Sequence, residues 1–151
     1  MRIVLTTVKE AKVVIDEITV GQINRGYLLL VGFTQGDNQE IVTKMVDKLL
    51  SLRVFPDENG KTNLSLQDVN GDICSVSQFT LYADVQKGRR PSFVDALHPD
   101  EATKLYDFFN EYLEKAFGKK IAKGVFGADM KVHSINDGPF TLLLDSKEIV
   151  R

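Results

Sequence analysis

The chain is poor in residues that build disulfides, zinc sites or redox centres. Its 151 residues include one cysteine, two histidines and no tryptophan. Cys74 alone cannot form an internal disulfide, and one cysteine with two histidines cannot complete an ordinary zinc site. We therefore expect a reducing, cytoplasmic setting and neither a metal nor another cofactor. Cys74 falls in a predicted strand and is expected to pack in the core.

Long apolar runs and a strong net charge are also missing. No stretch approaches the ~18 apolar residues that a transmembrane helix needs, so no membrane association is expected. The first residues lack the apolar core of a signal peptide. A net charge of −2 argues against a protein that grips long nucleic acid, DNA included, by neutralising many phosphates. It is compatible with a local basic patch that holds only the end of an RNA.

The apolar pattern predicts a single α+β domain over residues 1–151, with a mainly antiparallel, barrel-like sheet and two main helices. Each strand is predicted from a short apolar or alternating run bounded by turn residues. The predicted strands are residues 3–5, 13–15, 19–23, 27–33, 64–66, 72–82, 130–135 and 140–144.

Two helices are predicted from apolar residues at helical spacing. The first is expected to begin at Asp37, because Asp37 and Glu40 form a capping-box pattern. The second is expected to begin at Pro99, which suits the first helical position, and to end at Gly118. Its aromatic stripe is expected to lie in the core.

Common catalytic motifs are absent from the sequence. It contains no phosphate-loop or dinucleotide glycine fingerprint and no Gly-x-Ser-x-Gly elbow. His98 is expected on the surface at a helix start, and His133 on a strand, so neither is assigned as a base. A catalytic site in this chain would have to work without a strong side-chain base.

Polar side chains interrupt an apolar strand at Ser77-Gln78-Phe79-Thr80, named here the SQFT segment. Buried hydroxyls and carboxamides must be hydrogen-bonded, and neighbouring strands can supply the partners. Alternatively, Phe79 and Thr80 leave the strand ladder so that their backbone N–H groups point into a pocket. Donors placed in this way can hold an oxyanion. The sequence leaves both interpretations open.

A second unusual segment is Asn136-Asp137-Gly138-Pro139, named here the Gly-Pro segment. A tight hairpin is one interpretation, since glycine supplies unusual φ values and proline is tolerated at turns. In the other, the Gly138–Pro139 bond is cis and aims two carbonyl oxygens in one direction as a rigid gate.

Basic residues follow the SQFT segment closely in the sequence. Lys87, Arg89 and Arg90, together with Lys61, can form a local phosphate clamp. An ordinary exposed basic loop explains the same charges equally well.

Four short runs, in this order and spacing, resemble the D-aminoacyl-tRNA deacylase family. They are Ser77 to Leu81, Arg90 to Phe93, Phe126 to Met130, and the Gly-Pro segment. The resemblance covers essentially the whole chain. It implies hydrolysis of the ester between a D-amino acid and the terminal adenosine of tRNA, and removal of glycine mischarged on alanine tRNA.

The same resemblance implies roles for individual residues. Backbone amides of Phe79 and Thr80 would polarise the ester carbonyl, and Gln78 and Ser77 would line the adenosine or water pocket. A hydroxyl of the terminal ribose would assist, because an aminoacyl ester is already activated. Thr80 as a covalent nucleophile is a rival mechanism, disfavoured because no activating base is evident.

A homodimer with a cross-subunit gate is also implied. The carbonyls of Gly138 and Pro139 of one subunit would reach the pocket of the other and hold the substrate amino group. An L side chain would then collide with the gate, whereas D-residues and glycine would pass.

The sequence departs from the family near the end of its first strand. The family typically carries Gln-Arg there, and the arginine helps to lock the gate, whereas this chain has Thr6-Thr7. Threonine lacks a guanidinium, so either Arg2 or Lys9 substitutes or the gate is looser. A related subfamily with a relaxed gate accepts small L-amino acids. Phe140, where a smaller β-branched residue is common, is a milder departure.

Two other functional classes remain as alternatives on the same fold, because fold does not fix function. One is a non-catalytic module that binds an RNA end, and the other is a general small-ester hydrolase. The intact SQFT and Gly-Pro segments favour the enzyme that acts on aminoacyl-tRNA.

Overall fold

The computed structural model describes residues 1–150 as a six-stranded sheet, a two-stranded sheet, three α-helices and a 3₁₀ turn. The elements in chain order are β1 Arg2–Ile15, β2 Ile18–Ile23, β3 Gly26–Gly32, α1 Gln39–Ser51, β4 Arg53–Pro56, β5 Thr62–Ser65, β6 Asp72–Ser77, the 3₁₀ turn Phe79–Tyr82, α2 Pro99–Phe117, β7 Ala122–Lys123, β8 Lys131–Asp145 and α3 Ser146–Ile149.

The large sheet is mixed rather than purely antiparallel. Its order is β2-β1-β3-β6-β7, and β8 pairs with β1. All three partners of β1 run antiparallel to it, whereas β6 runs parallel to both β3 and β7. The α+β class and the single domain are confirmed. The parallel pairs place the end of β6 beside the end of β3, which is where the SQFT segment begins.

Two strands are longer than the sequence pattern predicted. β1 is one strand of 14 residues, so the predicted break between residues 5 and 13 was wrong. β8 is one strand of 15 residues, so the predicted division at the Gly-Pro segment, and with it the hairpin interpretation of that segment, was also wrong. The two strands pair along most of their length. This pairing provides backbone hydrogen-bond partners for the polar stretches of both strands. The alternation of apolar and polar residues alone does not identify those stretches as strand.

The first helix begins later than expected. Asn38 caps α1 by accepting a hydrogen bond from the Ile41 backbone N–H at 3.0 Å. Asp37, the predicted start, instead binds the Met1 ammonium group at 2.7 Å and the Thr34 backbone N–H at 2.8 Å.

The second helix follows the prediction at both ends. Pro99 occupies the first turn of α2, and the His98 side chain caps it. Gly118 ends the helix in the left-handed region at φ 75°. Tyr106 and Phe109 are buried, so the aromatic stripe lies in the core as expected.

The core has two parts, one on each face of the sheet. The larger part lies between the sheet and helices α1 and α2, and the smaller part includes Val8, Cys74 and Val76. Strand β3 contributes to both, as its continuous apolar run predicted. Burial raises the pKa of the Cys74 thiol to about 11. Within residues 1–150, no helix is both long and apolar enough to span a membrane.

Candidate active site

The SQFT segment leaves the sheet where β6 ends. β6 stops at Ser77, five residues earlier than predicted, and the Gln78 N–H makes a last ladder bond to the Val31 carbonyl at 2.7 Å. Phe79 then starts the 3₁₀ turn. The hypothesis that Phe79 and Thr80 leave the strand ladder is therefore confirmed.

Two backbone N–H groups in this turn have no hydrogen-bond acceptor among the described residues. The Leu81 N–H donates to the Gln78 carbonyl at 3.3 Å, and the Ala83 N–H donates to the Thr80 carbonyl at 3.0 Å. The first amides of a helical turn have no intrahelical acceptor. In the described part of the chain, the N–H groups of Phe79 and Thr80 accordingly have no hydrogen-bond partner. Both can donate to an incoming oxygen atom.

The Thr80 hydroxyl has a carboxamide as its neighbour. Gln78 Nε2 donates to Thr80 Oγ1 at 2.5 Å, on the exposed side of the turn. A carboxamide cannot remove a proton, so this contact orients the hydroxyl without activating it. Ser77 is half-buried at the start of the segment.

A cavity of about 290 Å³ opens beside the turn, and it brings two of the four sequence runs together. Its walls come from the SQFT segment and from the run that begins at Phe126. The lining residues are Val76, Ser77, Gln78, Phe79, Phe126, Gly127, Ala128, Met130 and Val132.

A second, more apolar cavity of about 530 Å³ adjoins the first and adds a third run. The two cavities share Phe79, Phe126 and Gly127. Phe93 packs edge-on against Phe79, with ring centroids 5.0 Å apart and planes at 62°. Phe79 nevertheless remains 53% exposed. The two cavities thus share a wall, and Ser77 and Gln78 bring polar side chains only to the smaller one.

The fourth run, the Gly-Pro segment, lies elsewhere in the same chain. The Gly138–Pro139 peptide bond is cis. The pair lines a cavity of about 230 Å³ together with Thr7, Arg25 and Phe55. Among residues 1–150, none lines both this cavity and either cavity at the SQFT segment. The structure therefore does not bring the two segments into one pocket within residues 1–150 of a single chain.

Thr6 and Thr7 both contact β8 through their hydroxyls. Thr7 Oγ1 donates to the Asp137 carbonyl at 2.7 Å, and Thr6 Oγ1 lies 3.2 Å from Thr141 Oγ1. Arg2, one expected substitute for the family arginine, is engaged at the other end of β8, where its Nε binds Asp145 at 2.9 Å. The hypothesis that Arg2 locks the Gly-Pro segment was wrong.

Sequence reasoning missed two residues that shape the SQFT turn. Arg2 Nη1 donates to the Leu81 carbonyl at 2.8 Å, and its guanidinium lies 4.6 Å from the centre of the Tyr82 ring. Gly32 faces the turn so closely that a Cβ atom there would lie 2.8 Å from the Gln78 carbonyl oxygen. A glycine at the end of a buried strand was the one available indication, because such glycines often mark close backbone approach.

The candidate phosphate-binding residues lie on two exposed loops. Lys61 follows the turn between β4 and β5, whereas Lys87, Arg89 and Arg90 lie in the loop after the 3₁₀ turn. Paired backbone bonds of 2.8 Å between Asp84 and Ser92 close the base of that second loop. The loop leads directly to Phe93 in the aromatic cavity. A clamp formed by all four residues stays a prediction.

The outer half of β8 is exposed on both faces. Residues 131–139 are all solvent-exposed although they belong to a regular strand, and they include the apolar Val132 and Ile135. Apolar side chains on both faces of an uncovered strand are typical of a protein–protein interface. Ile18 and Val20 of β2 are exposed as well.

Comparisons with known proteins identify the family to which the sequence belongs. The family model described as D-Tyr-tRNA(Tyr) deacylase matches residues 4–145. A D-aminoacyl-tRNA deacylase of Lactobacillus acidophilus is 54% identical over 145 residues, covering 96% of this chain and 99% of the relative. A D-aminoacyl-tRNA deacylase of Lactobacillus gasseri is 54% identical over 146 residues, with the same coverage of 96% and 99%.

Solved structures are similar over nearly the whole fold. One, described as a c-Myc DNA unwinding element binding protein, has a TM-score of 0.90 at 40% identity and covers 96% of this chain and 98% of its own. Another, described as a probable eukaryotic D-amino acid tRNA deacylase, has a TM-score of 0.85 at 20% identity, covers 95% and 97%, and supports the fold alone. Because the family model and the 54% identical relatives span almost the entire sequence, the chain belongs to the D-Tyr-tRNA(Tyr) deacylase family of hydrolases that act on aminoacyl-tRNA.

Proposed function

We propose that this protein hydrolyses the ester bond of D-aminoacyl-tRNA, and of glycine mischarged on alanine tRNA, to release the free amino acid and tRNA. The observation that carries the proposal is the pair of unpartnered N–H groups of Phe79 and Thr80 beside an aromatic cavity. Such a site can bind an ester oxygen without a metal or a strong base.

Catalysis in this proposal rests on backbone hydrogen bonds. The ester carbonyl oxygen binds the N–H groups of Phe79 and Thr80, which stabilise the negative charge that develops when water attacks the carbonyl carbon. A single donor of this kind is worth about 10²–10³-fold in kcat. The bond to the ribose oxygen then breaks, and that oxygen takes a proton. A neighbouring ribose hydroxyl assists, so the RNA supplies part of the catalyst.

The aromatic cavity suits the terminal adenine of the RNA. Phe79, Phe93 and Phe126 supply apolar ring surfaces at its wall. Stacking of one base on an aromatic side chain is worth roughly 1–3 kcal/mol. Gln78 and Ser77 line the adjoining smaller cavity, where their polar side chains bind ribose or water. The exposed Lys87, Arg89 and Arg90, with Lys61, would hold the phosphates of the same RNA end.

A homodimer completes the site in this proposal. Within one chain the Gly-Pro segment and the SQFT segment line separate cavities, and the outer half of β8 is uncovered. A second copy packed on β8 would bring its Gly138 and Pro139 carbonyls to the SQFT cavity. They would hold the substrate amino group so that an L side chain collides with them.

The proposed setting is the cytoplasm, where charged tRNA is found and where a buried free cysteine stays reduced. The proposed partners are the aminoacylated end of tRNA and a second copy of the chain. Neither a membrane nor DNA has a part in the proposed reaction.

The proposed function is tested by incubating the purified protein with D-tyrosyl-tRNA, L-tyrosyl-tRNA and glycyl-tRNA and following the release of free amino acid. We expect fast loss of the D-ester and the glycyl ester with the L-ester spared. Hydrolysis of all three would indicate a deacylase with a relaxed gate. Binding of charged tRNA without release from any ester would identify a non-catalytic module.

A further inference from the structure

Strand β8 bulges at residues 137–140, a stretch named here the Gly-Pro bulge. Thr7 is the one residue of β1 that lies opposite it. Thr6 pairs with Thr141 and Val8 pairs with Asn136, so the four β8 residues 137–140 face the single residue Thr7. A stretch of this kind cannot follow the ordinary ladder of backbone hydrogen bonds. Its attachment to β1 must come from another group.

The Thr7 hydroxyl provides that attachment. Its Oγ1 donates to the Asp137 carbonyl at 2.7 Å, directly before Gly138. Thr7 is 4% exposed, so water does not compete freely for this bond. The neighbouring Thr6 hydroxyl bonds outside the bulge, to Thr141, and on the exposed side of the strand pair.

A second contact surface supports the bulge from the side of β4. Thr7 pairs with Tyr27 in β3, and the Tyr27 ring stacks on Phe55 with centroids 5.4 Å apart and planes at 8°. The Arg25 guanidinium lies 5.0 Å from the centre of the Phe55 ring. Arg25 and Phe55 both line the cavity that contains Gly138 and Pro139. An arginine is thus present at this cavity, but it comes from the β2–β3 turn and not from β1.

We propose that Thr7, supported by the Arg25–Phe55 wall, is the positioning residue of the Gly-Pro gate and thereby sets how strictly L-aminoacyl esters are rejected. This inference rests on the proposed function. Thr7 need not touch the substrate, because it acts through the carbonyl of Asp137. The strictness of rejection then depends on one neutral hydrogen bond rather than on a bidentate guanidinium contact.

The test compares Thr7→Val, Thr7→Ser and the control Thr6→Val in the full-length protein. Valine keeps the branched shape and loses the hydroxyl, whereas serine keeps the hydroxyl. We measure kcat/KM for L- and D-tyrosyl-tRNA, and hydrogen exchange of the peptide that contains Gly138 and Phe140. Thr7→Val should raise the L-to-D ratio about tenfold, the size expected from losing one hydrogen bond. It should also speed exchange in that peptide.

Thr7→Ser should restore the wild-type ratio to within about twofold, and Thr6→Val should change neither measurement. Equal effects of Thr7→Val and Thr6→Val, or faster exchange with an unchanged ratio, would overturn the inference. If Thr7→Val does not fold, Arg25→Ala at the exposed wall decides the matter: a raised ratio supports the inference and an unchanged ratio overturns it.

The two proposals fail in different ways. A wild-type protein that releases no amino acid from the D-ester overturns the proposed function and, with it, the assignment of Thr7 to specificity. A wild-type protein that cleaves the D- and L-esters equally leaves the deacylase intact and overturns only the inference about Thr7.

Discussion

At the residue scale, the proposed chemistry belongs to backbone groups more than to side chains. The N–H groups of Phe79 and Thr80 have no partner within residues 1–150, while the Thr80 hydroxyl accepts a hydrogen bond from Gln78. Substitutions at these positions change the side chain and leave the amide in place. Because both amide donors survive most replacements, substitutions at Phe79 and Thr80 test the side chains and not the donors.

Thr80→Ala separates the two mechanisms that the site allows. If the amides stabilise the oxyanion, the variant should lose less than about tenfold in kcat, since its N–H remains. If the hydroxyl were the nucleophile, the loss should approach the ~10⁶-fold seen when such a group is removed. Single-turnover hydrolysis of D-tyrosyl-tRNA measures the difference, and circular dichroism shows whether the variant is folded.

The buried Cys74 gives a prediction about pH. Burial raises the pKa of its thiol from 9.0 to about 11, so the folded state favours the neutral form. Its contribution to stability is complete below pH 9 and is lost as the pH rises from 9 towards 11.

Urea titrations at several pH values should therefore show unfolding free energy falling more steeply above pH 9 in the wild type than in Cys74→Ala. If the unfolding free energies of the two proteins fell equally steeply above pH 9, the loss of stability would not come from the Cys74 thiol. The native thiol should also resist iodoacetamide at pH 8, because the thiolate is the reactive form.

At the element scale, the position of the SQFT turn depends on the strand ends around it. Arg2 in β1 binds the Leu81 carbonyl, and Gly32 in β3 leaves room for the Gln78 carbonyl. Neither residue belongs to the turn. The two amides are placed by contacts from elements that are distant in sequence.

Gly32→Ala should move the turn and impair catalysis. A Cβ atom there would lie 2.8 Å from the Gln78 oxygen and 3.1 Å from Leu81 Cβ, so the turn must shift. We expect a loss of about 1–3 kcal/mol in stability from overpacking, together with at least a tenfold fall in kcat/KM.

The matched control is Gly118→Ala at the end of α2. It should cost about 1–2 kcal/mol because of its positive φ, but no atom lies within 4 Å of the added Cβ. Its kcat/KM should stay at the wild-type value. Similar activity losses in the two variants would mean that reduced stability, and not the position of the turn, explains the effect.

Elements that are defined by local sequence features could be predicted, whereas elements that depend on distant pairing could not. Helix α2 was predicted at both ends because its Pro99 start and Gly118 stop are local features. Strands β1 and β8 were each divided in two because their mutual pairing, across more than a hundred residues, is invisible to local alternation. The helix start at Asp37 was wrong because a tertiary contact with Met1 takes that side chain.

The candidate site was predictable in its residues but not in its arrangement. Ser77 to Thr80 stood out because polar groups interrupted a predicted apolar strand, and the exit of Phe79 and Thr80 from the ladder was one of two stated possibilities. The separation of the Gly-Pro segment from the SQFT segment could not be derived, because it depends on the whole path of β8. Thr7 appeared in the sequence only as a departure, whereas its contact with Asp137 required the structure.

At the scale of the whole molecule, the uncovered half of β8 predicts that the protein forms a homodimer. Ile135→Glu places a charge on an exposed apolar position of that strand. It should convert the proposed dimer to a monomer and abolish the proposed deacylation, because burying an unpaired charge at an interface is strongly unfavourable. Analytical ultracentrifugation and D-tyrosyl-tRNA hydrolysis measure the two effects.

Val94→Glu is the control for a charge on an exposed apolar residue away from β8. Val94 is 77% exposed but lies in the loop between the 3₁₀ turn and α2, not on β8, so the proposed dimer should persist in this variant. A wild-type protein that sediments as a monomer at micromolar concentration would contradict the proposed homodimer. So would an Ile135→Glu variant that remains dimeric and fully active.

The pairing of β1 with β8 also constrains how the protein is made. Strand β1 is synthesised early, but its partner at residues 131–145 emerges only after both main helices. Contacts between such distant segments form late and slowly. A chain whose synthesis has not yet reached β8 therefore holds β1 with one ladder incomplete and lacks the Gly-Pro segment altogether. Chiral selection, under the proposed function, becomes possible only once synthesis has passed β8, so an interrupted translation product would have no means of discriminating between D- and L-esters.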